Sequence, residues 1–284
     1  MYEYRKSIKS PVSDEFINSY LIRPLAGLVV GVLYDSRVMP NQVTVASTVA
    51  GLAAAWMYGS GKPSAIVCAG LLVMLKDVLD SADGQLARAK QMYSRSGRFL
   101  DSIGDFVVNV AVFGVIGWML SMKHGDLLYC FLALGALLGI TFRVSYHVFY
   151  QTSYLHLQQE YQTNRITEEI NHEDEKGDRK TLLLQIVFQS IYGWQDRLVL
   201  SIDRWCFGST EFLGLREKWY SDLFGIRISG FLGMGTELFL LMLFSVFNHL
   251  EMYLVINLVV MNSLLACSVF YRKYLLRMRL ASKP

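Results

Sequence analysis

Four aspartates lie close together in the sequence, near the end of one apolar segment and the beginning of the next. In the stretch DSADGQLARAKQMYSRSGRFLDSIGD, residues 80–105, Asp80 and Asp83 are three residues apart, and Asp101 and Asp105 are four apart. On helices, these spacings place each pair on one face. A short connection would make the two helices antiparallel neighbours, so we expect all four carboxylates to converge.

Converging carboxylates repel one another, and in a partly dehydrated site they must take up protons or bind cations. Oxygen ligands of this kind suit hard divalent ions such as Mg²⁺, Mn²⁺ or Ca²⁺. Basic side chains follow in the same stretch, at Arg88, Lys90, Arg95 and Arg98. Carboxylates, hard metals and arginines together can bind a diphosphate. Gly84 and Gly97 have no side chain and would let a ligand or a neighbouring helix approach closely.

This stretch resembles the signature of the CDP-alcohol phosphatidyltransferases, D-x-x-D-G-x-x-A-R, then eight residues, then G-x-x-x-D-x-x-x-D. Every fixed position is filled, by Asp80, Asp83, Gly84, Ala87, Arg88, Gly97, Asp101 and Asp105. The resemblance implies a membrane enzyme that transfers a substituted phosphate from a CDP-linked donor to an alcohol and releases CMP. It extends to six spans, an amphipathic helix before the first span and the sequence PNQVT at 40–44, but it does not explain residues 151–225.

The resemblance also implies a role for each acidic residue of the signature. Asp80, Asp83 and Asp101 would bind a first divalent cation. Asp105 would complete the site of a second cation and act as general base on the acceptor hydroxyl. The implied cofactors are therefore two divalent cations, Mg²⁺ or Mn²⁺.

The remaining signature residues are implied to bind the nucleotide. Gly84 and Arg88 would face the CDP diphosphate, and Gly97 would leave room for the cytidine. This division of roles fits the chemistry, because attack of an alcohol on phosphorus needs a neutralised diphosphate and a stabilised CMP leaving group. It also needs a carboxylate within hydrogen-bond reach of the attacking hydroxyl.

The composition predicts an all-α integral membrane protein. The chain has 284 residues, of which 53% are hydrophobic, and the long uncharged runs are atypical of a soluble domain. A spanning helix needs roughly 20 apolar residues. We predict six such transmembrane helices, at 42–60, 63–83, 99–122, 126–150, 226–247 and 250–271. The four cysteines are scattered without metal-ligand or redox spacing, which favours buried thiols.

Basic residues predict the orientation of these spans. The short loops after the first, third and fifth spans contain only Lys62 and Lys123, whereas the opposite side collects most of the other lysines and arginines. The positive-inside rule then places both termini, and the acidic ends of spans two and three, in the cytoplasm. We therefore expect a multi-pass protein with its active site at the cytoplasmic face, in the cell inner membrane if the source is prokaryotic.

Two segments outside the spans predict helices at the membrane surface. Residues 13–35 have apolar positions at helical spacing but are too short to span, and Pro24 would kink them. Residues 181–194 follow a highly charged stretch and predict an interfacial or re-entrant helix of 14 residues. The predicted division is 1–36 (N-terminus and amphipathic helix), 37–150 (spans one to four with the signature), 151–225 (cytoplasmic or interfacial insertion) and 226–284 (last two spans and a basic tail).

Several polar residues outside the signature are candidates for acceptor binding or for support of the site. Asp77 lies one turn before Asp80 and is either an additional ligand or support for the site, or the partner of a basic neighbour such as Lys76. Arg143 and His147 lie within the fourth predicted span, where ionisable residues are candidates for function. The alternative for them is that their charged ends reach the membrane interface.

Three more residues have a similar double interpretation. Glu237 lies near the middle of the fifth predicted span and either lines an acceptor pocket or hydrogen-bonds a neighbouring helix. Arg227 either reaches a phosphate or anchors that span, and Asn41 either approaches the nucleotide or caps the first span. The small-residue pairs 27–31 and 135–139 favour close helix packing, while the dimers known in the family keep a homodimer open.

Two versions of the enzyme remain open. In one, the donor is CDP-diacylglycerol and the acceptor is a soluble alcohol such as serine, glycerol phosphate or inositol phosphate. In the other, a CDP-linked polar alcohol of the ethanolamine, choline or inositol type is the donor, and a lipid hydroxyl is the acceptor. The signature serves both, and the breadth of the family slightly favours the first.

Two other classes of protein fit less well. An intramembrane prenyltransferase also binds a diphosphate through metals, but with Asp-rich motifs on well-separated helices, whereas these acids fall within one short stretch. A cation transporter would carry polar groups through the membrane depth, often in related halves. We therefore expect an enzyme whose partners are a CDP-linked donor, an alcohol acceptor and membrane lipid, with no nucleic acid.

Overall fold

The computed structural model describes Tyr4 and residues 14–92, 94–158, 179–208 and 215–281. Every regular element within these residues is helical. We number the helices α1 Asn18–Leu33, α2 Pro40–Tyr58, α3 Pro63–Lys90, α4 Arg95–His124, α5 Leu128–Leu157, α6 Arg179–Phe207, α7 Arg216–Tyr220, α8 Leu223–Gly230, α9 Met234–Val246 and α10 Leu250–Leu280. The basic residues at 5–9 and most of the charged stretch before residue 181 lie outside the described residues.

Four stretches of the described chain are long and apolar enough to cross a membrane. They are α4, α5, the run Arg216–Val246 that contains α7 to α9, and α10. These stretches indicate a multi-pass membrane protein. Helices α2 and α3 coincide with the first two predicted spans, but α2 begins with polar residues and α3 carries several charged ones, so neither is counted with the four. Six spans therefore remain a prediction.

Apolar side chains lie on both the inner and the outer faces of the bundle. The main core lies between α2, α3, α4, α5, α9 and α10 and includes Tyr58, Phe113, Ile116, Leu241 and Tyr253. The outward side of α2 exposes Val45, Val49, Leu52 and Trp56. Helices that are apolar all round are typical of proteins surrounded by lipid.

Helix α2 positions the two helices that carry the acidic residues. Gln91, with φ 54°, ends α3, and Ser94 Oγ accepts a hydrogen bond from the Gly97 amide at 3.0 Å at the start of α4. Beyond this turn, α3 and α4 make their extensive contacts with α2 rather than with each other. Helix α4 approaches α2 closely at Gly51, where a Cβ atom would lie 2.5 Å from Val108 Cγ1. The acidic residues therefore meet across a space that α2 borders.

The predicted fifth span, 226–247, is divided into α8 and α9 around residues 231–233. Glu15, which precedes α1, accepts a hydrogen bond from the Thr236 amide at 3.1 Å at the start of α9. Beside it, Asp14 forms an ion pair with Arg23 at 2.7 Å. The helix predicted within 13–35 is present, and Glu15 joins its N-terminal end to the bundle where the predicted span is broken, whereas Asp14 pairs within the same segment.

Helix α6 is longer than the predicted helix at 181–194, because it continues to Phe207. The prediction was wrong at this end, since the polar residues after 194 find partners on other helices. Gln195 Oε1 accepts a hydrogen bond from Ser145 Oγ at 2.8 Å. The Asp203 carboxylate is buried and accepts three side-chain hydrogen bonds at 2.7–2.9 Å, from Tyr150, Trp219 and Tyr220.

Candidate active site

Three of the four signature carboxylates converge. Asp80, Asp83 and Asp101 each offer an oxygen, and these oxygens lie within 4.8 Å of one another. We call these three residues the carboxylate cluster. Asp83 is buried, and Asp101 Oδ1 is buried with no hydrogen-bond partner among the described residues. Because an unpartnered buried carboxylate oxygen is costly, this donor set fits a hard divalent cation.

Helix α2 contributes two hydroxyl groups to the carboxylate cluster. Thr44 Oγ1 donates a hydrogen bond to Asp83 Oδ2 at 2.5 Å, and Ser47 Oγ lies 3.5 Å from Asp80 Oδ1. Such outer partners orient metal-binding carboxylates. Neither residue was among the predicted site residues. Thr44 is the last residue of PNQVT, the sequence at the start of α2 that resembles the family.

The fourth signature carboxylate, Asp105, contacts a lysine. Lys76 forms an ion pair with Asp105 Oδ1, and Lys76 Nζ lies 3.6 Å from Asp80 Oδ1. Lys76 is 3% exposed and links α3 to α4. Lys76 was a predicted partner of Asp77, but its ammonium pairs with Asp105. Asp77 Oδ2 is buried without a hydrogen-bond partner among the described residues.

The nucleotide-binding candidates of the signature lie at the same end of α3 and α4. The Arg88 guanidinium lies over Gly84, where a Cβ atom would be 3.4 Å from its NH1 nitrogen. A Cβ atom on Gly97 would lie 2.7 Å from Asn41 Oδ1. Asn41 therefore lies beside the signature. It does not cap α2, whose first residue is Pro40 and whose preceding amide, at Met39, is bound by the Gln42 side chain.

Helix α6 holds the part of α4 that carries Asp101 and Asp105. The Tyr192 hydroxyl donates a hydrogen bond to the Ser102 carbonyl at 2.8 Å. The rings of Phe99 and Phe188 pack with their centroids 5.2 Å apart. Helix α6, from the segment 151–225 that the signature left without a role, thus packs directly behind two acidic residues of the signature.

Two of the other candidate residues pair with each other. Arg143 and Glu237 are both fully buried and form an ion pair in which Arg143 Nε donates to Glu237 Oε1 at 2.8 Å. Asn257 Nδ2 donates to Glu237 Oε2 at 2.8 Å, and Arg143 NH1 donates to Asn262 Oδ1 at 2.6 Å. Arg143 therefore does not reach outward to the membrane interface. The structure uses these residues to join α5, α9 and α10.

The last two candidates lie on or beside α8. The His147 ring on α5 is buried, with Nδ1 3.3 Å from Ser229 Oγ. Arg227 is exposed on the last turn of α8. His147 is buried and therefore does not extend to the membrane interface, and the acceptor-binding roles predicted for His147 and Arg227 stay predictions.

One titratable group outside the spans lies close to the site. Burial raises the pKa of Glu15 well above its ordinary value, and the neighbouring carboxylates Asp14 and Asp77 raise it further. The amides of Thr236 and Gly235 oppose this shift in pKa through their hydrogen bonds. Asp77 therefore lies within electrostatic reach of a second buried carboxyl, which is bound at the N-terminal end of α9.

The apolar helices and the carboxylate cluster fit a multi-pass membrane protein with a site for a hard cation. A sequence model of the CDP-alcohol phosphatidyltransferases matches residues 37–201, which is more than half of the chain. The chain belongs to this family. The match includes the whole signature and ends within α6.

Relatives from three organisms share part of this segment. The protein named bifunctional IPC transferase and DIPP synthase from Thermococcus kodakarensis is 32% identical over 135 residues, which is 48% of this chain and 29% of the relative. The protein of the same name from Aquifex aeolicus is 29% identical over 133 residues, which is 47% of this chain and 30% of the relative. A third, from Archaeoglobus fulgidus, is 31% identical over 103 residues. The aligned segments thus span less than a third of these longer relatives.

Proposed function

We propose that the chain transfers a substituted phosphate group from a CDP-linked donor to an alcohol acceptor and releases CMP. The observation that carries this proposal is the convergence of Asp80, Asp83 and Asp101, whose carboxylate oxygens lie within 4.8 Å of one another. One of them, Asp101 Oδ1, is buried without a hydrogen-bond partner among the described residues. This cluster fills three of the four acidic positions of the signature of the family to which the chain belongs.

The carboxylate cluster would hold a Mg²⁺ or Mn²⁺ ion, since its oxygen donors suit hard cations. When bound, such an ion neutralises the diphosphate and stabilises the departing CMP. Thr44 would keep Asp83 in the orientation that ligation requires, through its 2.5 Å hydrogen bond. The second predicted cation would be bound at a site that Asp105 completes.

Asp105 would accept the proton of the acceptor hydroxyl as that oxygen attacks the phosphorus. It lies one helical turn beyond Asp101, close to the cluster but not a member of it. Its contact with Lys76 fixes the direction of the carboxylate. Gly84 and Arg88 would face the diphosphate, because the guanidinium already lies over the glycine. Gly97 would leave space for the cytidine next to Asn41.

The preferred donor is CDP-diacylglycerol with a soluble alcohol as acceptor. A CDP-linked polar alcohol with a lipid hydroxyl as acceptor is the second candidate. The activities named for the relatives, IPC transfer and DIPP synthesis, should be tested alongside these two. In each case the chemical step is the same: the alcohol oxygen forms a bond to phosphorus, and the bond between phosphorus and CMP breaks.

We also propose the predicted topology for the membrane. Helices α2 and α3 would be the first two of six spans, which the exposed apolar side chains of α2 support. Both termini and the carboxylate cluster would lie at the cytoplasmic face. The division into 1–36, 37–150, 151–225 and 226–284 would then separate the surface helix, the site-bearing spans, the insertion and the last spans.

The test is release of CMP by the purified protein. Radiolabelled CDP-diacylglycerol and, separately, CDP-ethanolamine or CDP-choline are supplied with Mg²⁺ or Mn²⁺ and pooled acceptors. We expect CMP from one donor class, and a loss of about a hundredfold or more with Asp105→Asn, in the range of general-base catalysis. Asp35→Asn, an exposed change between α1 and α2, serves as the matched control. Absence of CMP with every donor, or equal release by Asp105→Asn, would overturn the proposal.

A further inference from the structure

We propose that the Lys76 ammonium takes the place of the second cation, so that this chain binds a single divalent ion, at the carboxylate cluster. This inference rests on the proposed function, because it concerns the same acidic residues. It departs from the sequence analysis, in which Asp105 completes a second metal site.

The position of Lys76 carries the inference. Its ammonium forms an ion pair with Asp105 on α4 and lies 3.6 Å from Asp80 Oδ1 on α3. Asp105 is the carboxylate that the predicted second site requires, and Asp80 is a member of the carboxylate cluster, so a second ion shared by Asp105 and the cluster would compete with the ammonium for this position. Lys76 lies one helical turn before Asp80 on the same face of α3, so its ammonium can lie beside both Asp80 and Asp105.

The distribution of the carboxylates agrees with one ion. Among the described residues, the oxygens of Asp80, Asp83 and Asp101 are close enough to one another to share a metal, and Asp105 is not part of that group. An unpartnered buried oxygen is found on Asp101, inside the cluster, whereas Asp105 Oδ1 is engaged by Lys76. A divalent ion between Asp80 and Asp105 would lie against the ammonium, and like charges repel.

The surroundings explain why a lysine can hold this place. A buried ammonium is costly in a membrane protein unless carboxylates pair with it. Lys76 is 3% exposed, and it has carboxylate partners on two helices. Its positive charge in turn offsets the repulsion between Asp80 and Asp105, which α2 holds near each other. Lys76 is thus a positioning residue: it orients the proposed base and supplies a fixed cation beside the metal.

The experiment counts bound metal directly and does not depend on turnover. Purified full-length protein is equilibrated with Mn²⁺, with and without CDP, and bound manganese is measured by elemental analysis and by electron paramagnetic resonance. We expect one Mn²⁺ per chain with the spectrum of an isolated ion. Lys76→Met, of similar length without charge, should bind a second ion and give a spin-coupled spectrum. Lys123→Met, at the opposite end of α4 where the lysine pairs with Glu251 at 2.7 Å, should still bind one ion.

Three results would overturn the inference. Two spin-coupled ions in the wild-type protein would show that Lys76 does not replace a metal, and the proposed function would stand. A single ion in both wild type and Lys76→Met would show that the lysine does not exclude the second. No Mn²⁺ in the wild type would overturn the cluster, and with it the proposed function. If Lys76→Met does not fold, the wild-type count alone decides between one ion and two.

Discussion

Arg143 and Glu237 form an ion pair that is closed to solvent, because both side chains are fully buried between α5 and α9. Asn257 from α10 donates to the second oxygen of Glu237 at 2.8 Å. The ion pair and this hydrogen bond therefore join α5, α9 and α10 through Glu237. The net contribution of such a pair is small, but breaking it leaves a buried charge without its partner.

We expect Arg143→Met to lower the free energy of unfolding by about 3–5 kcal/mol, because Glu237 is left buried without its cation. The double variant Arg143→Met, Glu237→Met should recover most of this loss, since it removes both charges. Thermal unfolding in detergent measures both effects. Glu251→Gln is the control, because Glu251 pairs with Lys123 at 2.7 Å on the surface and such pairs contribute about 0–1 kcal/mol. Equal losses in the buried and exposed variants would contradict this prediction.

A second prediction concerns Thr44, which has no role in the family signature. Thr44→Val removes the hydrogen bond to Asp83, and we expect the affinity for Mn²⁺ to fall by about 10–100-fold, as for other outer partners of metal ligands. Calorimetric titration measures that affinity. Thr48→Val, one turn along the same helix, removes a hydroxyl that donates to the Thr44 carbonyl and should leave the affinity unchanged. The prediction fails if the two variants bind Mn²⁺ equally well.

The third prediction tests the space beside Gly97. In Gly97→Ala, the new Cβ would lie 2.6 Å from Ser94 Oγ and 2.7 Å from Asn41 Oδ1, so both side chains must move. We expect weaker binding of CDP, and a loss of stability of about 1 kcal/mol from the displaced N-cap. Gly114→Ala on the same helix has nothing within 4 Å of its Cβ and is the matched control. Titration with CDP should separate the variants; unchanged affinity in Gly97→Ala would remove the glycine from the nucleotide site.

The fourth prediction follows from the raised pKa of Glu15. The folded state holds the proton of this carboxyl more tightly than the unfolded state, whose pKa is near 4.5. Stability should therefore fall as the pH rises above about 4.5 toward the raised folded-state pKa. Glu15→Gln should flatten this dependence in unfolding experiments across the same pH range, whereas Glu217→Gln, at an exposed position of α7, should not. A wild-type protein whose stability rises over that range would contradict the argument.

Helical spacing and the signature were enough to predict where the carboxylates would meet. The pairs at 80–83 and 101–105 follow from helical spacing, and three of the four side chains converge. The two helices were expected to be antiparallel neighbours, whereas both pack on α2, which borders the space between the acidic residues. Contacts between distant helices were not predictable in this way. Lys76 and Asp105 are 29 residues apart, and their contact depends on how α2 holds α3 and α4.

The buried pair shows the same limit more clearly. Arg143 and Glu237 each stood out in the sequence as an ionisable residue within a predicted span, and each was therefore a candidate for the site. Their separation of 94 residues hides the simpler explanation, which is that each neutralises the other. The length of α6 was likewise not predictable, because the side chains that donate hydrogen bonds to Asp203 lie on α5 and α7.

The Asp203 contacts have a consequence for how this protein can be divided. The family match ends at residue 201, inside α6, yet the carboxylate two residues later is bound by Tyr150, Trp219 and Tyr220. A fragment that ends at residue 201 would lack this carboxylate, and the buried Tyr150 hydroxyl would lose its hydrogen-bond acceptor. A fragment that keeps all three donors of Asp203 therefore extends at least to Tyr220.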